Sequence, residues 1–117
     1  MVGGFALFKT ASQAIGPARD TADTFLDHLE TGETATAYTY LCSQARGEFT
    51  PDQFDQIVDG RPKMAGHKIV GTNVMNTNGI VSASVDAELT YADGSSERHL
   101  FRLTKENGDW RVCGNPY

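Results

Sequence analysis

Three dipeptides, Asn78-Gly79, Asp93-Gly94 and Asn107-Gly108, punctuate the second half of the chain at intervals of about fifteen residues, each between segments rich in β-forming residues. Such dipeptides supply the positive φ that tight hairpin turns require, so consecutive strands must run antiparallel beside one another. They predict a four-stranded meander that starts after Asp59-Gly60-Arg61-Pro62, where the apolar period changes from helical to two. The second strand is the clearest. Val81, Ala83, Val85, Ala87, Leu89 and Tyr91 take one face and Ser82, Ser84, Asp86, Glu88 and Thr90 the other, as in a sheet with one dry face and one wet face. The first strand, near His67 to Met75, alternates less cleanly. In the third, His99, Phe101 and Leu103 are expected inward in preference to Arg98, Leu100 and Arg102. In the last, Trp110 and Val112 share one face while Arg111 and Cys113 take the other.

The first half has helical spacing. Gly16-Pro17 pre-sets a helix start, Ala18, Ala22, Phe25, Leu26 and Leu29 form one buried stripe among Arg19, Asp20, Asp23 and Asp27, and Gly32 is placed to end the helix. His28 falls at the flank of that stripe and is expected to be solvated. A second helix is predicted from Thr34 to Ala45, with Ala37, Tyr38, Leu41, Cys42 and Ala45 on its apolar face and Tyr40 pointing away. Thr50-Pro51-Asp52-Gln53 has the form of a capping box with proline in the first turn, so a third helix is expected to bury Phe54, Ile57 and Val58. Helices followed by an antiparallel sheet define an α+β fold, with the curved sheet wrapped around the first helix.

Of 117 residues, 39% are hydrophobic and 21% charged, enough for one modest core and typical of a globular domain. A net charge of −5 and the absence of any Lys/Arg run exclude nucleic acid as a natural partner. Met1-Val2-Gly3-Gly4-Phe5-Ala6-Leu7-Phe8 is apolar but far shorter than the ~20 residues that cross a bilayer. Two readings stand: the outer end of a transmembrane helix whose remainder precedes this chain, which is favoured, or a terminal helix that packs or frays. The expected organisation is therefore an apolar stub and linker over residues 1–16 and a domain over 17–117.

The two cysteines, Cys42 and Cys113, admit a fold-closing disulfide or two buried free thiols. They are too far apart in sequence for a redox pair, and two cysteines alone do not complete a cysteine-rich zinc site. A bridge favours an oxidising, extracytoplasmic compartment. Strand alternation sets Cys113 opposite the Trp110 face, so a bridge requires the helical segment to reach the end or edge of the sheet.

The element order resembles the cone-shaped nuclear transport factor 2-like, cystatin-like superfamily, which includes ketosteroid isomerase and SnoaL. The resemblance is carried by Phe25-Leu26-Asp27-His28-Leu29-Glu30-Thr31-Gly32, then Ala37-Tyr38 and Leu41-Cys42, then Phe49-Thr50-Pro51-Asp52-Gln53-Phe54, and finally Gly108-Asp109-Trp110-Arg111-Val112-Cys113-Gly114. Within the superfamily the chain is most similar to small bacterial extracytoplasmic domains, related to the lumazine-binding-like group, that follow a single transmembrane helix. The resemblance spans about residues 18 to 115. It implies a cone whose mouth could be a site lined by Tyr38, Tyr91, His99 and Trp110, and it places a Cys42–Cys113 staple between the second helix and the last strand. An isomerase-like site wants a carboxylate base facing a tyrosine and a protonated acid in an apolar pocket. No such set carries over: the stripe of the first helix has no tyrosine, and Asp86 and Glu88 lie on the polar face of their strand. The expectation is a non-catalytic, membrane-tethered extracytoplasmic domain that needs no cofactor or metal and contacts a small apolar ligand or a protein. The alternatives are a small-molecule isomerase, dehydratase or hydrolase, and a dimerising structural module.

Overall fold

The computed structural model describes residues 16–113, and the expected stub and linker over residues 1–16 lies outside them but for Gly16, which opens the first helix. Four helices, α1 (Gly16–Glu30), α2 (Thr34–Tyr38), α3 (Ser43–Glu48) and α4 (Pro51–Asp59), precede four strands, β1 (Met64–Thr77), β2 (Ile80–Tyr91), β3 (Ser96–Glu106) and β4 (Asp109–Cys113). The strands form one antiparallel sheet in the order β1-β2-β3-β4, the meander that the turn dipeptides require. Among the described residues, no helix is long and apolar enough to cross a membrane.

The stripe of α1 is buried as the periodicity predicts, at Ala18, Ala22, Phe25, Leu26 and Leu29. The helix ends at Gly32, whose φ of +79° is open to glycine without strain, and Glu33 N–H reaches back to the His28 carbonyl at 2.8 Å. The sheet lays its apolar face over this helix. Ala83, Val85, Ala87, Leu89 and Tyr91 of β2, Phe101 and Leu103 of β3, and Trp110 and Val112 of β4 all join one core with the α1 stripe. At its centre the Phe25 ring meets Phe54 of α4 at 6.3 Å and Phe101 of β3 at 6.2 Å, the latter edge-on.

Two of the three turns are as expected, with positive φ at both Asn78 and Gly79 and at both Asn107 and Gly108. The middle turn differs. Only Gly94 has positive φ, and Asp93 instead accepts hydrogen bonds from Ser95 N–H and Oγ at 2.9 and 2.6 Å, closing a longer loop. β1 also begins earlier and ends later than expected, at Met64 and Thr77, with pairing irregularities between Met64 and Gly66 and between Ile69 and Gly71. These bulges blur the alternation that the sequence shows there.

The predicted second helix from Thr34 to Ala45 is corrected by the structure. The segment splits into α2 and α3 because Leu41 leaves the helix to form a parallel bridge with Val112. Cys42 N–H donates to the Val112 carbonyl and Val112 N–H to the Tyr40 carbonyl, each at 2.8 Å. Tertiary pairing at the sheet edge outweighs helix propensity in this stretch. Tyr40 is consequently half-buried and packs against the core instead of pointing away. α4 carries the predicted capping box, with Thr50 Oγ accepting from Gln53 N–H and Gln53 returning to Thr50 N–H at 2.9 Å. Its buried face is narrower than predicted: Phe54 is interior and Val58 half-buried, whereas Ile57 is 41% exposed. α4 meets the core along the 54/58 line only, and the 57 position turns outward beside it.

Candidate functional site

The densest cluster of chemistry-bearing side chains lies between α1 and β1. Asp23, Asp27 and Glu30 follow one another at i, i+4 and i+7, the spacing that stacks side chains on one helical face. His67, on the inner face of β1 opposite Leu89, points at this row. Its Nε2 lies 2.7 Å from an Asp23 carboxylate oxygen and 3.7 Å from Asp27, and its Nδ1 is hydrogen-bonded to Glu30. The imidazole is 8% exposed, while Asp23 and Asp27 open to solvent. Asp23, Asp27 and His67 each present one ligating atom, all within 4.8 Å of one another, a donor set of the size that one divalent cation spans.

Burial works against the charged imidazole most strongly, but the hydrogen bonds and charges of Glu30 and Asp23 together outweigh it and hold the His67 pKa above its ordinary value. An imidazolium with both nitrogens engaged is a poor general base and a good clamp. The sign of its linkage follows. A group whose folded pKa is raised contributes stability that is complete below the unfolded value, about 6.5, and is lost as pH rises through the folded pKa. His67→Gln is therefore expected to destabilise the domain at pH 5.5 by about 1.5 kcal/mol, the lower end for charge-assisted hydrogen bonds because the aspartates face water. The difference from wild type narrows at pH 9. Urea unfolding at the two pH values measures this, and a pH-independent difference refutes the clamp.

The residues singled out from sequence do not converge on this cluster. Tyr38 packs against Phe54 at 6.0 Å, and its hydroxyl donates toward the carbonyls of Arg46 at 3.0 Å and Phe49 at 2.5 Å, tying α2 to the C-terminal end of α3. Tyr91 is buried at the end of β2 with its hydroxyl unpartnered. The His99 ring packs tilted against Phe101, centroids 4.4 Å apart, with Nε2 buried and unpartnered and Nδ1 4.0 Å from Glu97. Trp110 is buried beneath Lys105, whose ammonium sits 5.7 Å from the ring. None of these four lines either described concavity. One, of about 210 Å³, lies between Leu29, Thr34, Asp55, Arg61 and Lys63; the other, of about 440 Å³, opens beside Phe49, Gln53 and Ile57. His28, expected to be solvated, instead pairs with Glu33 at 3.0 Å and packs its ring 5.5 Å from Tyr40.

Cys42 and Cys113 are bridged, with Cα atoms 5.1 Å apart across a sequence separation of 71. The alternation problem is resolved at the edge. β4 is the outermost strand, so the outward-facing Cys113 reaches around it to Cys42, the buried residue that caps α3. Arg111, on the same outer side, donates to the Thr39 carbonyl at 2.7 Å and reinforces the seam.

The domain described as "Lipoprotein LpqB, N-terminal domain" matches residues 18–117. Among solved structures, a crystal structure of a protein from Campylobacter jejuni, provisionally named an NTF2-like transpeptidase, superposes with a TM-score of 0.59 at 18% identity, covering 82% of this chain and 96% of that one. At that identity the likeness establishes the fold, the nuclear transport factor 2-like cone. No curated protein matches.

Proposed function

Because this chain belongs to the family of the lipoprotein LpqB N-terminal domain, we propose that it is a non-catalytic interaction domain, a single unit over residues 17–117, held outside the cytoplasm on a membrane tether that precedes it. The observation that carries the non-catalytic part is the filled cone. Phe25, Phe54 and Phe101 meet ring to ring at its centre and are at most 1% exposed. A small-molecule site of the isomerase type needs that volume open and a few polar groups converging on it. The disulfide supports the compartment, since such bridges persist in oxidising surroundings and are rare in the cytosol. Contact with partners then falls to the outer surface.

Two measurements test the reading. A fusion of the complete gene product to alkaline phosphatase, an enzyme active only outside the cytoplasm, is expected to be active in its native host; an inactive but expressed fusion overturns the compartment. Methyl NMR titration with benzene and indole probes is expected to leave the core signals of Leu26 and Leu103 unmoved. Saturable shifts at those methyls reveal an internal cavity and restore the enzyme alternative.

A further inference from the structure

His67 is anchored through one ring nitrogen and crowded at the other. Glu30 engages Nδ1, while Nε2 faces the carboxylates of both Asp23 and Asp27. A protonated Nε2 carries one N–H, and Asp23 accepts it at 2.7 Å. Asp27, at 3.7 Å, is beyond hydrogen-bond reach. The imidazolium clamp therefore serves two of three carboxylates and leaves Asp23 and Asp27 as like charges at i and i+4 on one helical face, an arrangement that repels. Three carboxylates around one imidazolium leave a negative excess that a divalent cation matches.

We propose that Asp23, Asp27 and Nε2 of His67 bind one zinc ion, with Glu30 as the carboxylate that orients the ring. Zinc bonds to imidazole nitrogen and carboxylate oxygen at about 2.0–2.2 Å, so donors around one tetrahedral ion stand about 3.4 Å apart. The observed 2.7 and 3.7 Å bracket that spacing, and the three donor atoms all lie within 4.8 Å of one another. The adjustment needed is small. It falls on side chains free to make it, since Asp23 and Asp27 are 50% and 61% exposed while the imidazole is held at 8%. The same opening admits the ion and lets water complete its shell. The ion takes the place of the Nε2 proton, which passes to solvent, and Nδ1 keeps its proton on Glu30, the carboxylate–histidine–metal arrangement that fixes ring and tautomer. A nitrogen donor selects against calcium and magnesium, which take oxygen ligands. Bound there, zinc ties the acidic row of α1 to β1. The proposal departs from the expectation of a metal-free domain, goes beyond the tethered-domain reading and stands or falls separately from it.

Calorimetric titration of the full chain with zinc chloride is expected to show one site with a dissociation constant below about 100 µM. The chain holds three histidines, at 28, 67 and 99, so imidazole nitrogen NMR reads the donor directly. Zinc is expected to shift Nε2 of His67 and to leave His28 and His99 unmoved. Asp27→Asn weakens binding at least about tenfold. Because that carboxylate makes no hydrogen bond to His67, the urea midpoint in metal-free buffer stays unchanged, which separates a lost ligand from lost folding. Glu30→Gln weakens binding about tenfold through the ring it orients. His28→Gln, whose ring pairs with Glu33 instead, leaves binding intact. A dissociation constant above about 1 mM overturns the proposal. So do zinc-induced shifts at His28 or His99 in place of His67. Binding that survives Asp27→Asn, or that an excess of calcium of about tenfold displaces, overturns it in favour of diffuse attraction to acidic side chains.

Discussion

Replacing Cys42 and Cys113 together by alanine is expected to lower the unfolding free energy by about 4 kcal/mol, from the chain-entropy relation for the 71-residue separation that the bridge spans. The alanines leave the interior apolar, so the loss is not inflated by a buried hydroxyl at position 42, which is fully enclosed. For a domain near a hundred residues each kcal/mol shifts the melting midpoint by roughly 4–8 °C, so a fall of about 15 °C or more is expected. Guanidinium unfolding of the oxidised wild type and the double variant measures the difference directly. The m-value should rise as well, because the uncrosslinked unfolded chain exposes more surface. A loss under about 1 kcal/mol means that the seam of hydrogen bonds at Tyr40, Cys42 and Val112 holds the edge without the covalent tie.

Phe25→Ala is the second large effect, a loss of about 3–5 kcal/mol. Phe25 is fully buried and joins its own helix to two other elements through Phe54 of α4 and Phe101 of β3, so α1, α4 and the sheet cannot all collapse into the space it leaves. Removing the ring therefore combines lost transfer energy with a residual cavity. The same denaturation experiment reads it. An effect below about 1.5 kcal/mol shows that the centre of the cone relaxes freely, in which case the packed-core argument against an internal ligand site fails with it. Combined with the cysteine double variant, the two losses approach the whole stability of an ordinary domain, about 5–15 kcal/mol, so the triple variant is expected to be largely unfolded at 37 °C.

The parts of the fold that were legible in the sequence are those governed by a single local rule. The α1 stripe, the β2 alternation, the Thr50 capping box and the outer turns at Asn78-Gly79 and Asn107-Gly108 each follow from residues close together in the chain. The α2/α3 break was not legible, because Thr34 to Ala45 is a good helical pattern and only pairing with Val112, far along the chain, interrupts it. The His67 cluster was half legible. Asp23, Asp27 and Glu30 at i, i+4 and i+7 form an acidic row that the sequence displays openly. Its target could not be read, since the β1 bulges obscure which face His67 takes and only the sheet's wrap brings that face to the row. Tyr38, Tyr91, His99 and Trp110 show how little residue type alone says about a site. Each is a residue type found in sites, yet all four are spread through the packing, and the Tyr38 hydroxyl is committed to backbone carbonyls.

The Leu41–Val112 bridge sets the order in which the domain can be finished. The Cys42 N–H and the Tyr40 carbonyl find their partner in Val112 of β4, the last strand of the sheet. A chain emerging N-terminus first can collapse α1 and pair β1 with β2 while those partners are still to come. The edge, the cysteine pair and the cover over Trp110 all wait for residues 109–113. Closure thus requires β4 and is beyond any fragment that stops short of it, and joining of the Cys42 and Cys113 thiols, with two electrons passed to an external oxidant, marks the moment at which the cone is complete.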